Sequence, residues 1–329
     1  MEVAFGNSGL SLPSLTTQIL TVSILSLRRT VHHRSIQTQR PIATNYDYIV
    51  VGSGTSGSIV ASRLTEDSSK TVLVLEAGGP QTVTSDSPSY TREQFGSYID
   101  WGYRTVPQFP YAGNAYRDGG RIPIPRGRIV GGSANMNFLV YSRGSRYDYD
   151  SWAQEPYNAE GWSYEEVLPY FLKSENNTNY KIVLDNPEYH STSGPVVVQT
   201  PATPDPIIEI IKQTLVTDFD IPLVDQNGPK QLGTLNFQQT IFLNGTRATT
   251  ASAYLEPFVN RNNLQVLTEA LVTRILFDTT GSELRAIGVE YRYQNQTHRV
   301  YANREVIISA GKIFIFFLFL FISLFVFHL

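Results

Sequence analysis

An α/β fold with a parallel sheet is what the sequence predicts, and three observations predict it. A short β-branched run, Tyr48–Val51, passes directly into the glycine-rich turn Gly52-Ser53-Gly54-Thr55-Ser56-Gly57. A segment with apolar residues at helical spacing follows, Ser58–Leu64, and then a second apolar run, Thr71–Leu75, that ends at Glu76. Far downstream come four more strand-like runs, Leu264–Leu267, Leu271–Phe277, Ile287–Tyr293 and Glu305–Gly311. Strand, glycine turn, helix, strand and acid in that order form a Rossmann-like unit.

Each part of the unit has a physical task. Gly52 permits the tight turn, Gly54 lets the backbone approach a pyrophosphate, and Gly57 lets the helix pack on the strand. Unpaired N–H groups and the positive dipole end of the helix, at Thr55 and Ser56, then face the phosphates. Glu76 lies 24 positions after Gly52 (76 − 52), where its carboxylate can accept from both hydroxyls of an adenosine ribose. The same charge repels a 2′-phosphate. The unit alone leaves FAD and NAD both open.

A second glycine cluster lies at residues 126–150, RGRIVGGSANMNFLVYSRGSRYDYD. Gly127, Gly131, Gly132 and Gly144 stand among Arg126, Arg128, Arg143 and Arg146. A small-residue turn flanked by arginines is an anion-facing loop or an ordinary surface turn with solvated arginines. Asn135 and Asn137 add amides that can meet ring nitrogens or oxygens. The neighbouring acids Asp148, Asp150, Glu165 and Glu166 are spaced as helix-face or cap residues rather than as a carboxylate pair.

Composition narrows the function classes. The chain has 329 residues, 41% of them hydrophobic and 17% charged, enough for a large core. With 26 basic and 29 acidic residues the net charge is -3, which argues against nucleic acid as a partner. There is no cysteine, so disulfides, thiolate metal sites and cysteine nucleophiles are excluded. Three Asn-x-Ser/Thr sequons, at Asn176, Asn244 and Asn295, lean towards secretion. Residues 1–45 form a leader. Its apolar run Ile19–Leu27, followed by Arg28 and Arg29, reads as a weak signal peptide or signal anchor, or as a disordered leader. Extracellular or secretory placement is the expectation that follows. The other end, Ile313–Leu329, is a Phe- and Leu-rich stretch behind Lys312. It reads as a tail anchor or as coding sequence that ran into non-coding sequence. The second reading is favoured because the preceding residues belong to a soluble core strand, so a membrane partner enters only if that tail is real.

The two clusters together resemble the glucose–methanol–choline (GMC) oxidoreductases. The stretch Gly127–Asn137, with Tyr141, Gly144 and Asp150, is similar to that family's first signature, and Asp47–Gly79 to its nucleotide cradle. Asp100-Trp101, Gly161–Tyr164 and Ala251–Pro257 add to the likeness, which covers roughly residues 45–311 and leans to the arthropod glucose-dehydrogenase-like branch. The resemblance implies FAD, with Gly52, Gly54, Thr55, Ser56 and Gly57 at the pyrophosphate and Glu76 and Ala77 at the ribose. It brings Val130, Gly132, Ser133, Asn135, Met136 and Asn137 towards the flavin and phosphates, and the backbone of Val272 to the adenine. Met136 stands where covalent members carry a flavin-linked His, which implies a non-covalent FAD. Ala134 replaces the usual hydroxyl or glycine.

The organisation this implies is a leader (1–45), a first part of the FAD domain (46–150), a partial α+β substrate-side segment (151–235), a second part of the FAD domain (236–311) and the apolar tail (312–329). Gly194–Gln199 reads as a strand and Pro206–Thr217 as a helix. In the family a second signature and a C-terminal His–His or His–Asn pair follow, and that pair takes the alcohol proton. Here neither is found. His190 and His298 fall in polar segments and are read as solvent-facing, His32 and His33 lie in the leader and His328 in the tail, so no catalytic residue is assigned. The expectation is an incomplete Rossmann-like FAD domain, truncated before its catalytic pair and inactive on the small alcohol or sugar substrates of the family. The rival is a non-catalytic, tail-anchored flavin-binding protein. An NAD-dependent dehydrogenase is disfavoured by the second glycine and arginine cluster.

Overall fold

Residue 36 and residues 40–108, 119–201, 205–281 and 284–311 are described by the computed structural model. Most of the leader and the whole tail at 312–329 therefore lie outside the described residues. The elements that position the site are β1 (Asn45–Val51), α1 (Thr55–Leu64), β2 (Val72–Leu75), α2 (Arg146–Ala153), α3 (Tyr164–Ser174), β3 (Glu175–Asn177), β4 (Val196–Val198), α4 (Pro206–Asp218), β5 (Leu264–Leu267), β6 (Leu271–Asp278), β7 (Arg285–Tyr293) and β8 (Gln296–Ile308).

One six-stranded sheet, in the order β6-β7-β8-β1-β2-β5, organises the molecule. Its β8-β1-β2-β5 half is parallel and its β6-β7-β8 half is an antiparallel meander. The parallel half reads as near-continuous apolar runs because both of its faces are covered; every residue of β2 and of β5 is buried. On one face Ile49, Leu73, Leu75, Val272 and Val289 form a core. On the other, Val50, Val72 and Val74 pack with Ala61 of α1 and with Leu255 and Val259. Burying such side chains stabilises by roughly 1.5–3 kcal/mol each, which fixes the sheet beneath the glycine turn.

The strands expected from the sequence are present with small changes of extent. The last one differs most: it begins at Gln296, not Glu305, because Gln294 and Asn295 adopt positive φ and fold β7 back onto it in a tight hairpin. Strands from residues 45–75 and 264–308 thus share one sheet, with Ile49 between Leu73 and Val306. The expected strand at 194–199 is confined to Val196–Val198 and pairs with β3. The expected helix extends over Pro206–Asp218, where Asp205 caps the Ile207 N–H; Ile207, Ile210 and Ile211 on it stay exposed.

Candidate functional site

Three glycines shape the turn after β1. Gly52 has φ +93° and a side chain there would stand 2.9 Å from the Ser309 carbonyl oxygen, behind β8. A Cβ on Gly57 would lie 1.9 Å from the Gly52 carbonyl oxygen, so only glycine lets α1 seat on the turn. At Gly54 the surroundings differ. A Cβ would meet only the Gly132 Cα, at 3.9 Å, so this backbone faces space. Gly132, at φ +57°, would put its own Cβ 2.9 Å from the Gly54 Cα. The two glycine clusters, distant in sequence, therefore meet backbone to backbone.

Between them lies a cavity of about 350 Å³. Its wall includes Gly52, Gly54, Thr55, Ser56, Glu76, Ala77, Gly132, Ser133 and Val272. Gly54 caps α1 without a side-chain hydrogen bond, and the first turn carries no acid, so the helix offers its N-terminal N–H groups and dipole to an anion. Glu76 is 6% exposed. Its Oε2 accepts from the Ser53 N–H and Oγ–H, both at 2.8 Å, and its Oε1 from the Gly78 N–H at 2.8 Å. Burial pushes its carboxyl up from the ordinary range against these donors and Arg128. With Oε2 saturated, Oε1 keeps one lone pair. That lone pair faces the residues that share the cavity wall with Glu76.

The remaining predicted residues are not part of this wall. Gly57 packs as described. Val130 is fully buried and donates its N–H to the Gly79 carbonyl at 3.0 Å. Asn135, fully buried, donates to the Val130 carbonyl at 2.7 Å and accepts from Gln81 at 2.8 Å, so its amide braces the loop. Met136 is buried. Asn137 is exposed, with Oδ1 accepting from the Leu139 N–H and from Arg247.

Further contributors come from other parts of the chain. Trp101 and Tyr103 stack at 5.9 Å, Arg128 lies 5.3 Å over Trp101, and both rings join the cavity wall with Arg126. Ser309, Ala310 and Gly311 close it behind β8. Arg247, 2% exposed, holds the second cluster in place. It donates to the Asn137 carbonyl at 2.7 Å, to Asn137 Oδ1 at 3.0 Å and to the Ala134 carbonyl at 3.3 Å. Burial lowers its pKa to about 10.

His190 corrects the sequence reading. It is 5% exposed, because Glu175 and Asp225 converge on it from separate segments. Its Nδ1 lies 2.9 Å from Glu175 Oε1 and its Nε2 2.6 Å from Asp225 Oδ2. Arg143 pairs with the other Glu175 oxygen, and Asn177 and Gln238 bond the two carboxylates. Burial alone would lower the His190 pKa, but the two carboxylates outweigh it and raise it to about 9. His298 is half-buried and stacks on Tyr291 at 5.3 Å. The acids near α2 and α3 behave as expected: Glu166 closes a capping box with Ser163, and Asp150 accepts from the Tyr164 N–H. Among the described residues no histidine lines the cavity, no cluster is placed to hold a metal, and no helix is long and apolar enough to cross a membrane.

Residues 46–314 match the family model described as GMC oxidoreductase. An oxygen-dependent choline dehydrogenase of Pseudomonas putida is 37% identical over 281 residues, which are 83% of this chain and 46% of that protein. A glucose dehydrogenase [FAD, quinone] of Drosophila pseudoobscura pseudoobscura is 37% identical over 270 residues, 82% of this chain and 41% of that one. Among solved structures, pyridoxine 4-oxidase from Mesorbium loti superposes with a TM-score of 0.70 at 28% identity, over 81% of this chain and 50% of that one. An FAD-dependent oxidoreductase from Chaetomium thermophilum gives 0.69 at 29% identity, over 81% and 46%. The chain spans about half the length of the curated relatives it matches. A half-parallel sheet with two glycine loops meeting over a cavity, and a family match over most of the chain, place it in the GMC oxidoreductase family.

Proposed function

We propose that this chain binds FAD non-covalently in the cavity between the glycine loops, as the cofactor-binding part of an oxidoreductase acting on CH–OH groups. The observation that carries the reading is the backbone contact of Gly54 and Gly132 beside Glu76. The residues present fit the group. Gly54 leaves room where a Cβ would intrude on a pyrophosphate, the α1 N-terminus supplies free N–H donors, and Glu76 Oε1 keeps a lone pair for a ribose hydroxyl. Val272 lies on the wall beyond Glu76, suited to the adenine end. When bound, FAD supplies the acceptor for a hydride from the alcohol carbon. The substrate class is a small alcohol or sugar, in keeping with the choline and glucose named for the relatives.

Met136 supports the non-covalent reading, since a thioether lacks the nucleophilic nitrogen that a histidine would offer. General acid–base help is worth roughly 10²–10⁴-fold. Among the described histidines, His190 is locked between two carboxylates and His298 against Tyr291. This chain by itself is therefore a flavin binder with negligible alcohol oxidation. We place it in the secretory pathway on the strength of the leader run and the sequons. The test is to purify the full chain, add FAD, remove the excess and record the absorption spectrum. A yellow protein whose flavin stays in solution after acid precipitation supports the reading. A colourless protein of intact fold overturns FAD binding, flavin in the pellet overturns the non-covalent form, and alcohol-dependent bleaching overturns inactivity.

A further inference from the structure

The three sequons stand in three different backbone settings, and these divide them. Asn244 occupies the tip of a short hairpin closed by the Ile241–Arg247 bridge, the Phe242 N–H to Thr246 carbonyl bond at 2.8 Å and the Gly245 N–H to Phe242 carbonyl bond at 2.8 Å. It is exposed, next to Leu243 at 85% exposure. Its Oδ1 accepts from the Thr246 N–H at 3.1 Å and from the Thr246 hydroxyl at 2.8 Å. Both donors pull charge through the carbonyl and acidify the Nδ2–H, while Nδ2 itself is left without a partner among the described residues. Gly245, with open space where a side chain would stand, leaves the approach clear. These bonds are all local, so they form in a nascent hairpin before the distant parts of the fold arrive.

Asn295 is the second residue of the β7–β8 turn, at φ +60°, which Asn tolerates. It is exposed, follows an exposed Gln294, and its side-chain amide has no partner among the described residues. Asn176 is different. It sits mid-strand in β3, paired with Val197 on one side and bridged to Thr192 on the other, and is half-buried. The sequon residue Thr178 gives both its N–H (2.8 Å) and its hydroxyl (3.1 Å) to the Val198 carbonyl. Its neighbours Glu175 and Asn177 belong to the buried His190 network.

We propose that Asn244 and Asn295 accept N-linked glycans and that Asn176 does not. The donor is a lipid pyrophosphate-linked oligosaccharide. The Asn Nδ2 forms a bond to the anomeric carbon, the bond from that carbon to the pyrophosphate oxygen breaks with its electron pair on the leaving lipid pyrophosphate, and one amide proton goes to a base of the transferase. No oxidation state changes. The assignment is independent of FAD binding and rests on entry into the secretory pathway, which the test reads separately.

The full chain is produced in insect cells in two arms, one with its own N-terminus and one behind a cleavable secretory signal. Peptides from medium and from denatured total lysate are released with an N-glycosidase in heavy-oxygen water and mapped. In the signal-led arm, labelled Asp at positions 244 and 295 and unlabelled Asn176 are expected, and Asn244→Gln and Asn295→Gln each remove one glycan step on a gel. Reading the lysate keeps the test valid for a retained, misfolded chain. Occupancy at Asn176, or an empty Asn244 or Asn295 in that arm, overturns the proposal. Glycans in the signal-led arm but none with the native N-terminus uphold the acceptor sites and overturn the secretory reading alone.

Discussion

Raising the pH through the titration of His190 should loosen the segment around Glu175, His190 and Asp225 by a calculable amount. The imidazolium donates from Nδ1 to Glu175 and from Nε2 to Asp225. Neutral imidazole keeps a single N–H, so deprotonation sets a lone pair against one of the two carboxylates. Among the described residues, Arg143 then remains as the one cation bonded within the network. The folded pKa is raised from 6.5 to about 9, so the stabilisation is complete below 6.5 and is lost as pH rises through 9. Asp225 is held below its ordinary value despite burial, by His190 first, so its own contribution is lost only in acid and does not enter this window. At about 1.4 kcal/mol per pH unit, the rise corresponds to about 3 kcal/mol, or roughly 6–12 °C in Tm for a domain of this size. The assay is urea unfolding followed by tryptophan fluorescence across that range, for the parent chain and for His190→Gln. The variant leaves Glu175 and Asp225 without the imidazolium, with Arg143 paired to Glu175, and should be destabilised by about 3–5 kcal/mol below pH 6.5. Above pH 9 the difference should shrink by about 3 kcal/mol. A gap that stays constant across the range would refute the charged assignment of His190.

Three further outcomes follow from the site. Gly57→Ala forces a methyl to 1.9 Å from the Gly52 carbonyl oxygen; loss of flavin retention with a Tm drop of several degrees is expected, and unchanged retention by gel filtration would count against the packing role. Glu76→Gln sets an amide against the Ser53 and Gly78 donors, which costs about 1–3 kcal/mol and weakens FAD binding about 5- to 150-fold, read by titrated flavin fluorescence. Arg247→Met strips the Asn137 and Ala134 carbonyls of their donor; a loss of about 2–4 kcal/mol is expected, with Arg247→Lys restoring part of it, read as urea midpoints.

What the sequence made legible was local. The roles of Gly52, Gly54 and Gly57 follow from spacing alone, since the turn and helix they serve span a few residues. The buried strands announced themselves because parallel strands covered on both faces admit only apolar side chains. The contribution of Tyr103 was not legible, because nothing in its neighbourhood says that it lines the same cavity as Gly132. His190 was misread for the same reason. The segment around it is polar, so it looks solvated, and its partners Glu175 and Asp225 arrive from other strands and loops. The saturation of Glu76 Oε2 by Ser53 is likewise a matter of geometry: the sequence places the acid, and the turn decides how many acceptors it has left.

The pairing of β1 sets the order in which this protein can be made. Its two neighbours are β2, which follows within a few dozen residues, and β8, which pairs Val306 with Ile49. At a synthesis rate of about 5–20 residues per second, the first strand waits on the order of 10–50 s for that partner. During this interval the glycine turn lacks the Ser309 carbonyl that backs it, and an apolar strand edge lies open to other chains. Such non-local pairing predicts slow folding and a dependence on chaperones that shield extended segments. Flavin capture can then come only after translation has passed β8, so cofactor supply late in synthesis should govern yield.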